Sequence, residues 1–132
     1  MTYYLSTFLE DTSFSEAEER VIAELEKEGF GIITAIDVKA TMKNKLDIDF
    51  KNYTILGACN PHYAHEALTR EDKIGVLLPC NVLVIEQPDG RIEVAAMDPA
   101  AAMSSVNNES LLETMGLVTV KLQAVIDKLS EK

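Results

Sequence analysis

Apolar side chains recur every three or four residues in two stretches of the chain, which predicts two amphipathic helices. The first stretch begins at Phe14, and charged residues fill its other face. Ser13 and Glu16 fit a capping box at its start, and Gly29 fits a C-terminal stop. The second stretch has apolar residues at Leu111, Met115, Val118, Leu122, Val125 and Leu129. This longer stripe predicts a helix that packs against a large apolar surface.

Segments rich in β-branched and aromatic residues predict five strands, one before the first helix and four between the two helices. Three of them are residues 3–9, 30–38 and 53–58, and the last two lie in the apolar segment 74–87 and in residues 91–97. The sequence PDGR joins the last two strands and predicts a hairpin, because proline presets φ and glycine accepts a positive φ. Pro79 cannot donate to a strand ladder, so we expect it at an edge, a strand start or a bulge.

The order of these elements predicts an α+β fold with a mainly antiparallel sheet and helices packed on one face. Residues 39–46 and the segment after Pro61 each predict a short helix. The full order is then strand, helix, strand, short helix, strand, short helix, hairpin, loop and long helix. A chain of 132 residues that is 47% hydrophobic fits a single domain over residues 1–132.

The net charge and the distribution of apolar residues argue against two classes of binding partner, nucleic acids and membranes. The chain has 22 acidic and 12 basic residues, and its net charge of -10 opposes binding to nucleic acid or to an anionic membrane surface. No apolar run approaches the ~18 residues of a membrane span, and the first twenty residues lack the pattern of a signal peptide. We therefore expect a cytoplasmic protein that binds neither nucleic acid nor membrane, with reduced cysteines.

The two cysteines lie in similar sequences, the CNP motif (Cys59–Pro61) and the PCN motif (Pro79–Asn81). Pro61 fits the first position of a helix and Asn60 fits its N-cap. Cys59 is therefore expected at a strand-to-helix junction, where the partial positive charge of unpaired N–H groups favours a thiolate.

Several candidate residues have both a structural and a functional interpretation. Free cysteines are often buried as small apolar residues, and Asn81 in an apolar strand must either brace a loop or bind a ligand. If Cys80 lies beside the third strand, the two sulfurs share a pocket that His62, His65, Met97 and Met103 are candidates to line. Thiolate, imidazole and thioether suit zinc, copper(I) or haem iron. No C-x-x-C or H-x-x-x-H spacing supports a metal site of Cys59, Cys80 and His62.

The chain resembles the family catalogued as domain of unknown function 302. The similarity rests on GFGIITAIDVKATMKNKL, on YTILGACNPHYAHEAL, and on LLPCNVLV followed by a hairpin and MDP, and it extends over essentially the whole chain. The resemblance implies a fold similar to the TATA-binding-protein-like α+β arrangement, commonly found as a homodimer, with no established activity. It does not imply DNA binding. The positions of this chain that match the family's two motifs are Cys59, Asn60, Pro61, Pro79, Cys80 and Asn81.

Three functional hypotheses remain open from the sequence. The first is a homodimeric module that binds or senses a small ligand, a metal or a sulfur species. Its binding residues are Cys59, Asn60, Cys80 and Asn81. The second is a thiol-dependent redox or transferase enzyme in which Cys59 reacts and Cys80 resolves. The third is a structural dimer with no small-molecule site, and the sequence identifies no cofactor for any of the three.

Overall fold

A five-stranded antiparallel sheet forms the centre of the computed structural model, which describes residues 2–131. The strands are β1 (Tyr4–Leu9), β2 (Gly31–Asp37), β3 (Tyr53–Cys59), β4 (Cys80–Glu86) and β5 (Ile92–Met97). Their order across the sheet is β1-β5-β4-β3-β2, so β1 and β2 form its edges. Cys59 ends β3 and Cys80 begins the neighbouring β4, which brings the two motifs to the same end of the sheet.

The helices confirm the α+β fold class. They are α1 (Phe14–Lys27), α2 (Val38–Leu46), α3 (Pro61–Arg70), α4 (Pro99–Met103) and α5 (Leu112–Ser130). The predicted start of α1 is confirmed, because the Ser13 hydroxyl accepts a hydrogen bond from the Glu16 backbone N–H at 3.2 Å. Its predicted end is confirmed by Gly29, which has a φ of 88°. No helix within residues 2–131 is long and apolar enough to cross a membrane.

The hydrophobic core lies between the sheet and the helices on one of its faces. The predicted apolar stripe of the last helix is entirely buried and comprises Leu111, Met115, Val118, Leu122, Val125 and Leu129. Opposite it, alternate residues of β4 and β5 such as Val82, Val84 and Val94 are fully buried. Burying one such aliphatic side chain contributes about 1.5–3 kcal/mol, so this layer is the main source of stability.

Two segments differ from the prediction. Strand β4 begins at Cys80, and the apolar residues before Pro79 instead form a 3₁₀ helix at Asp72–Leu77. Pro79 has no N–H to donate, so the ladder begins only after it, as the strand-start option predicted. The expected loop before α5 contains helix α4, whose N-cap Asp98 accepts a hydrogen bond from the Ala100 N–H at 3.0 Å. The Asp-Pro pair at residues 98 and 99 is a helix-start signal that the sequence analysis missed.

The second strand and the helix after it are shifted slightly from their predicted bounds. Phe30 belongs to the buried core, and β2 begins at Gly31. At the other end, Asp37 caps α2, because its carboxylate accepts a hydrogen bond from the Ala40 N–H at 2.9 Å. Val38 is therefore helical, and β2 stays an edge strand with most of its side chains exposed.

Candidate functional site

An apolar cavity of about 310 Å³ lies where β3 ends, α3 begins and the chain enters β4. The walls from the end of β3 and from α3 are Ala58, Cys59, Asn60, Tyr63, Ala64, Ala67 and Leu68. The remaining contacts include Phe30 and Leu78 from the connecting segments and Met115 and Val118 from α5. The volume falls at the lower end of the roughly 300–1,000 Å³ that is typical of small-molecule sites.

Both cysteines line this cavity as free thiols. The antiparallel register pairs Ala58 of β3 with Cys80 of β4, so Cys59 is one residue away from the position opposite Cys80. Cys80 is only 9% exposed, whereas Cys59 is half-buried. The two thiols therefore differ in access, and Cys59 is the one that a reagent or a ligand in the cavity reaches first.

Burial controls the ionisation of the inner thiol. Desolvation, with a smaller contribution from the negative charge of an ionised Cys59, raises the pKa of Cys80 from the usual 9.0 to about 11. At neutral pH the Cys80 side chain is therefore an uncharged thiol. In that state it is a small apolar group and a weak hydrogen-bond donor, and it is a poorer nucleophile than an ordinary cysteine.

Asn60 occupies the predicted N-cap position of α3 but does not cap the helix with its side chain. Its backbone carbonyl accepts the first helical hydrogen bond from the Ala64 N–H at 2.9 Å. Its side-chain Nδ2 turns away and donates to the Glu28 carbonyl at 3.4 Å. Gly29 permits this approach, since a Cβ there would lie 2.9 Å from the Asn60 Nδ2. Asn60 thus braces the end of α1 against the start of α3, and Pro61 takes the predicted first helical position.

Asn81 does not reach the cavity, so the prediction that both asparagines line one pocket is wrong. Successive side chains of a strand point to opposite faces of the sheet, and Cys80 points to the core. Asn81 therefore lies on the other face, where it pairs with Gly57, is exposed, and contributes to a shallow groove with Tyr53 and Leu83. Asn81 therefore cannot contact a ligand that is bound in the cysteine cavity.

The histidines and methionines considered as metal ligands do not join the two cysteines at the cavity. His62 and His65 are exposed on α3, and neither lines the cavity. Met97 lines the groove on the opposite face, whereas Met103 is buried away from the cavity. Within residues 2–131, no group of three or more His, Cys, Asp or Glu side chains is arranged to hold a metal ion.

Most of the apolar cavity wall was missed by the sequence analysis, although part of its signal is present in α3. Tyr63, Ala64, Ala67 and Leu68 follow the spacing of one helical face, and all four line the cavity. The histidines fall on the other side of the same helix. The methionine that lines the cavity is Met115, not the predicted Met97 or Met103.

Together, the sheet, the helical layer and the cavity define a small α+β protein with an apolar pocket beside two free thiols. A sequence model of the family described as Domain of unknown function DUF302 matches residues 6–129, and the chain belongs to this family. The resemblance noted in the sequence is thereby confirmed.

The fold has a counterpart among solved structures. The chain is similar to the crystal structure of an uncharacterized conserved DUF302 protein from Bacillus stearothermophilus, with a TM-score of 0.89 and 25% sequence identity. The similarity covers 98% of this chain and 99% of that chain. No curated protein matches the sequence.

Proposed function

We propose that this chain is a homodimeric binding module that holds a small, mainly apolar and uncharged molecule in the cavity beside Cys59 and Cys80. The supporting observation is an almost entirely apolar cavity of about 310 Å³ with few polar groups. The lining residues that carry polar groups are Cys59, Asn60, Tyr63 and Cys80. Apolar walls with a few polar groups that orient the ligand are typical of small-molecule sites.

The state of Cys80 favours this ligand class over a metal ion. Metal binding requires a thiolate, and forming one at pH 7 from a thiol whose pKa is raised to about 11 costs about 5 kcal/mol. A charged organic ligand would lose its hydration against apolar walls. Among the sulfur species considered from the sequence, the cavity therefore favours neutral ones.

The access of Cys59 supports a second candidate, a thiol-dependent redox or transferase enzyme. Cys59 is half-buried at the cavity, and Cys80, the candidate resolving thiol, lines the same cavity. This candidate requires Cys59 to react with iodoacetamide faster than a free cysteine somewhere between about pH 5 and 9. Labelling at the free-cysteine rate throughout that range excludes it.

Filling the cavity tests the binding proposal. Ala64 lines the cavity on α3, whereas the neighbouring His65 is exposed, so Ala64→Phe and His65→Phe form a matched pair. Indole is a suitable probe because it is flat and apolar and has one N–H donor. Titration calorimetry should show that Ala64→Phe weakens indole binding by at least about tenfold, while His65→Phe leaves it unchanged.

Native mass spectrometry of the protein purified under reducing conditions completes the test. A co-purified small molecule that is lost in Ala64→Phe and retained in His65→Phe supports the proposal. Equal indole affinity in all three proteins contradicts it. If the wild-type protein neither binds indole nor carries a bound molecule, the interpretation as a structural dimer without a small-molecule site is favoured instead.

A further inference from the structure

One segment at the edge of the sheet is ordered but has no buried side chain. This segment, residues 31–50, is called the arm here and contains β2, α2 and the residues after α2. Its exposed large apolar side chains are Ile33, Ile36, Leu46, Ile48 and Phe50. An isolated helix shorter than about 12–15 residues is marginal in water, and the nine-residue α2 buries none of its side chains in this chain. Although Ile32 packs against the core and β2 pairs with β3, α2 therefore lacks the buried face that normally stabilises a short helix.

The arm also differs in charge from the rest of the molecule. Three lysines and three aspartates lie in the arm, whereas the remaining chain has nine basic and nineteen acidic residues. Because the arm carries no net charge, two arms can approach each other without the net repulsion expected between the acidic remainders of two chains. Within one arm, Lys43 already forms ion pairs with Asp47 and Asp49, at 3.0 and 3.7 Å. The charges on the arm thus favour a second copy of the same surface.

The size and position of the arm fit a dimer interface. A standard-size interface uses about 20–30 residues on each side, and the arm supplies twenty residues that are all at least partly exposed. β2 is an edge strand, so one row of its backbone N–H and C=O groups has no strand beside it within residues 2–131. A contact of one arm with the same arm of another copy is self-complementary and closes at two subunits.

We propose that a second copy of this chain covers the arm, and that the contact between the two arms closes the open side of the cysteine cavity. The link between the two features is Ile33, which lines the cavity and is 61% exposed on the arm. A subunit seated on the arm covers Ile33 and with it the approach to Cys59. This inference rests on the dimer in the proposed function and names its surface.

Charged substitutions on the arm test the interface. The double variant Ile36→Glu/Leu46→Glu places two carboxylates on the arm, at side chains that are 47% and 63% exposed. The matched control is Val76→Glu/Val120→Glu, which changes side chains that are 84% and 66% exposed elsewhere on the chain. Sedimentation velocity should find a wild-type dimer, a control dimer, and an arm variant whose dissociation constant is raised at least about a hundredfold.

Labelling of Cys59 by iodoacetamide tests the closure of the cavity without any ligand. We expect the arm variant to react at least about tenfold faster than the wild-type and control proteins, because its cavity stays open. Equal rates in a dissociated arm variant overturn the closure. If the wild-type protein forms the dimer and shows the expected labelling rates but does not bind indole, the proposed ligand class is contradicted. The proposed arm interface is then still supported.

Three outcomes overturn the arm interface. They are a wild-type monomer at about 100 µM, a control variant that dissociates while the arm variant does not, and open-ended oligomers that indicate a head-to-tail contact. If the arm variant loses its far-UV circular dichroism signal, it is unfolded and cannot test the interface. Hydrogen exchange of the wild-type protein is then the test. The amides of residues 31–50 should then be protected more strongly at high than at low protein concentration, and equal protection overturns the proposal.

Discussion

At the scale of single residues, the environment of each thiol matters more than the motif around it. The CNP and PCN motifs look alike in sequence, yet Cys59 is half-buried at a strand end and Cys80 is buried at a strand start. The two asparagines diverge further. Asn60 joins α1 to α3 through the Glu28 carbonyl, whereas Asn81 lies on the opposite face of the sheet. The two similar motifs therefore have different roles in the structure: Asn60 links two helices and Asn81 lies on the outer face of the sheet. Their two thiols differ in exposure.

The ionisation of Cys80 predicts a dependence of stability on pH. Below pH 9.0 the thiol is protonated in the folded and the unfolded chain, and its contribution to stability is fully present. Between 9.0 and about 11 the unfolded chain loses the proton and the folded chain keeps it, because burial raises the pKa of Cys80. The free energy of unfolding therefore falls as the pH rises through this range. Urea denaturation should show the wild-type protein losing about 2 kcal/mol relative to Cys80→Ala.

The comparison with Cys80→Ala removes the contribution of the lysines and tyrosines, since they titrate in both proteins. Cys59→Ala is the matched control, and it should lose stability in parallel with the wild-type protein. A constant difference between the wild-type protein and Cys80→Ala across the range would contradict a buried, neutral thiol.

At the scale of elements, the approach of three chain segments at Gly57 shapes the sheet beside the cavity. Gly57 lies in β3, between Thr34 of β2 and the Pro79 that precedes β4. A Cβ at this position would overlap the Thr34 Oγ1 and lie 2.8 Å from the Pro79 Cγ. The glycine thus keeps the neighbouring segments close to β3 at the point where the cavity begins.

Substitution of this glycine should separate the strands. We expect Gly57→Ala to lower the free energy of unfolding by about 2–3 kcal/mol, because overpacking forces its neighbours to move. Gly116→Ala is the control, since a Cβ in α5 meets nothing within 4 Å and should stabilise the helix by about 0.5–1 kcal/mol. Thermal and urea denaturation measure both. Adding Thr34→Ala should recover part of the loss, and an unchanged Gly57→Ala protein contradicts the close approach.

At the scale of the whole molecule, an interface on the arm makes stability depend on protein concentration. Unfolding of a dimer also separates its subunits, so mass action stabilises the folded state as concentration rises. A rise in concentration from about 2 to 200 µM stabilises the folded dimer by ~2.7 kcal/mol. Dividing this free energy by the unfolding entropy of two chains gives an expected rise in melting temperature of about 5 °C. Calorimetry of the wild-type protein and of Ile36→Glu/Leu46→Glu checks this, and the variant should show no dependence.

A melting temperature that does not change with concentration in the wild-type protein contradicts a dimer that forms on folding. The variant Val76→Glu/Val120→Glu serves again as the control and should keep the dependence. A rise that persists in the arm variant would place the interface on another surface.

Much of the fold is predictable because its signals are local. The capping box at Ser13, the stop at Gly29, the hairpin at Gly90 and the stripe from Leu111 to Leu129 each lie within a short window of sequence. Each window has its own hydrogen bonds or one apolar face, so the pattern alone indicates the element. The missed helix at Pro99 belongs to the same class, since its Asp-Pro start is local too.

The amino-acid sequence by itself determined most of the elements, their α+β class, the family and the two cysteine motifs as the place to seek function. The tertiary structure alone decided which motif residues meet. Strand pairing brings Cys59 and Cys80 to one end of the sheet, where both line one cavity, and the alternation of side chains along β4 sends Asn81 to the other face. Burial, likewise, exists only once distant segments pack, and it is burial that keeps the Cys80 thiol neutral and leaves the arm uncovered.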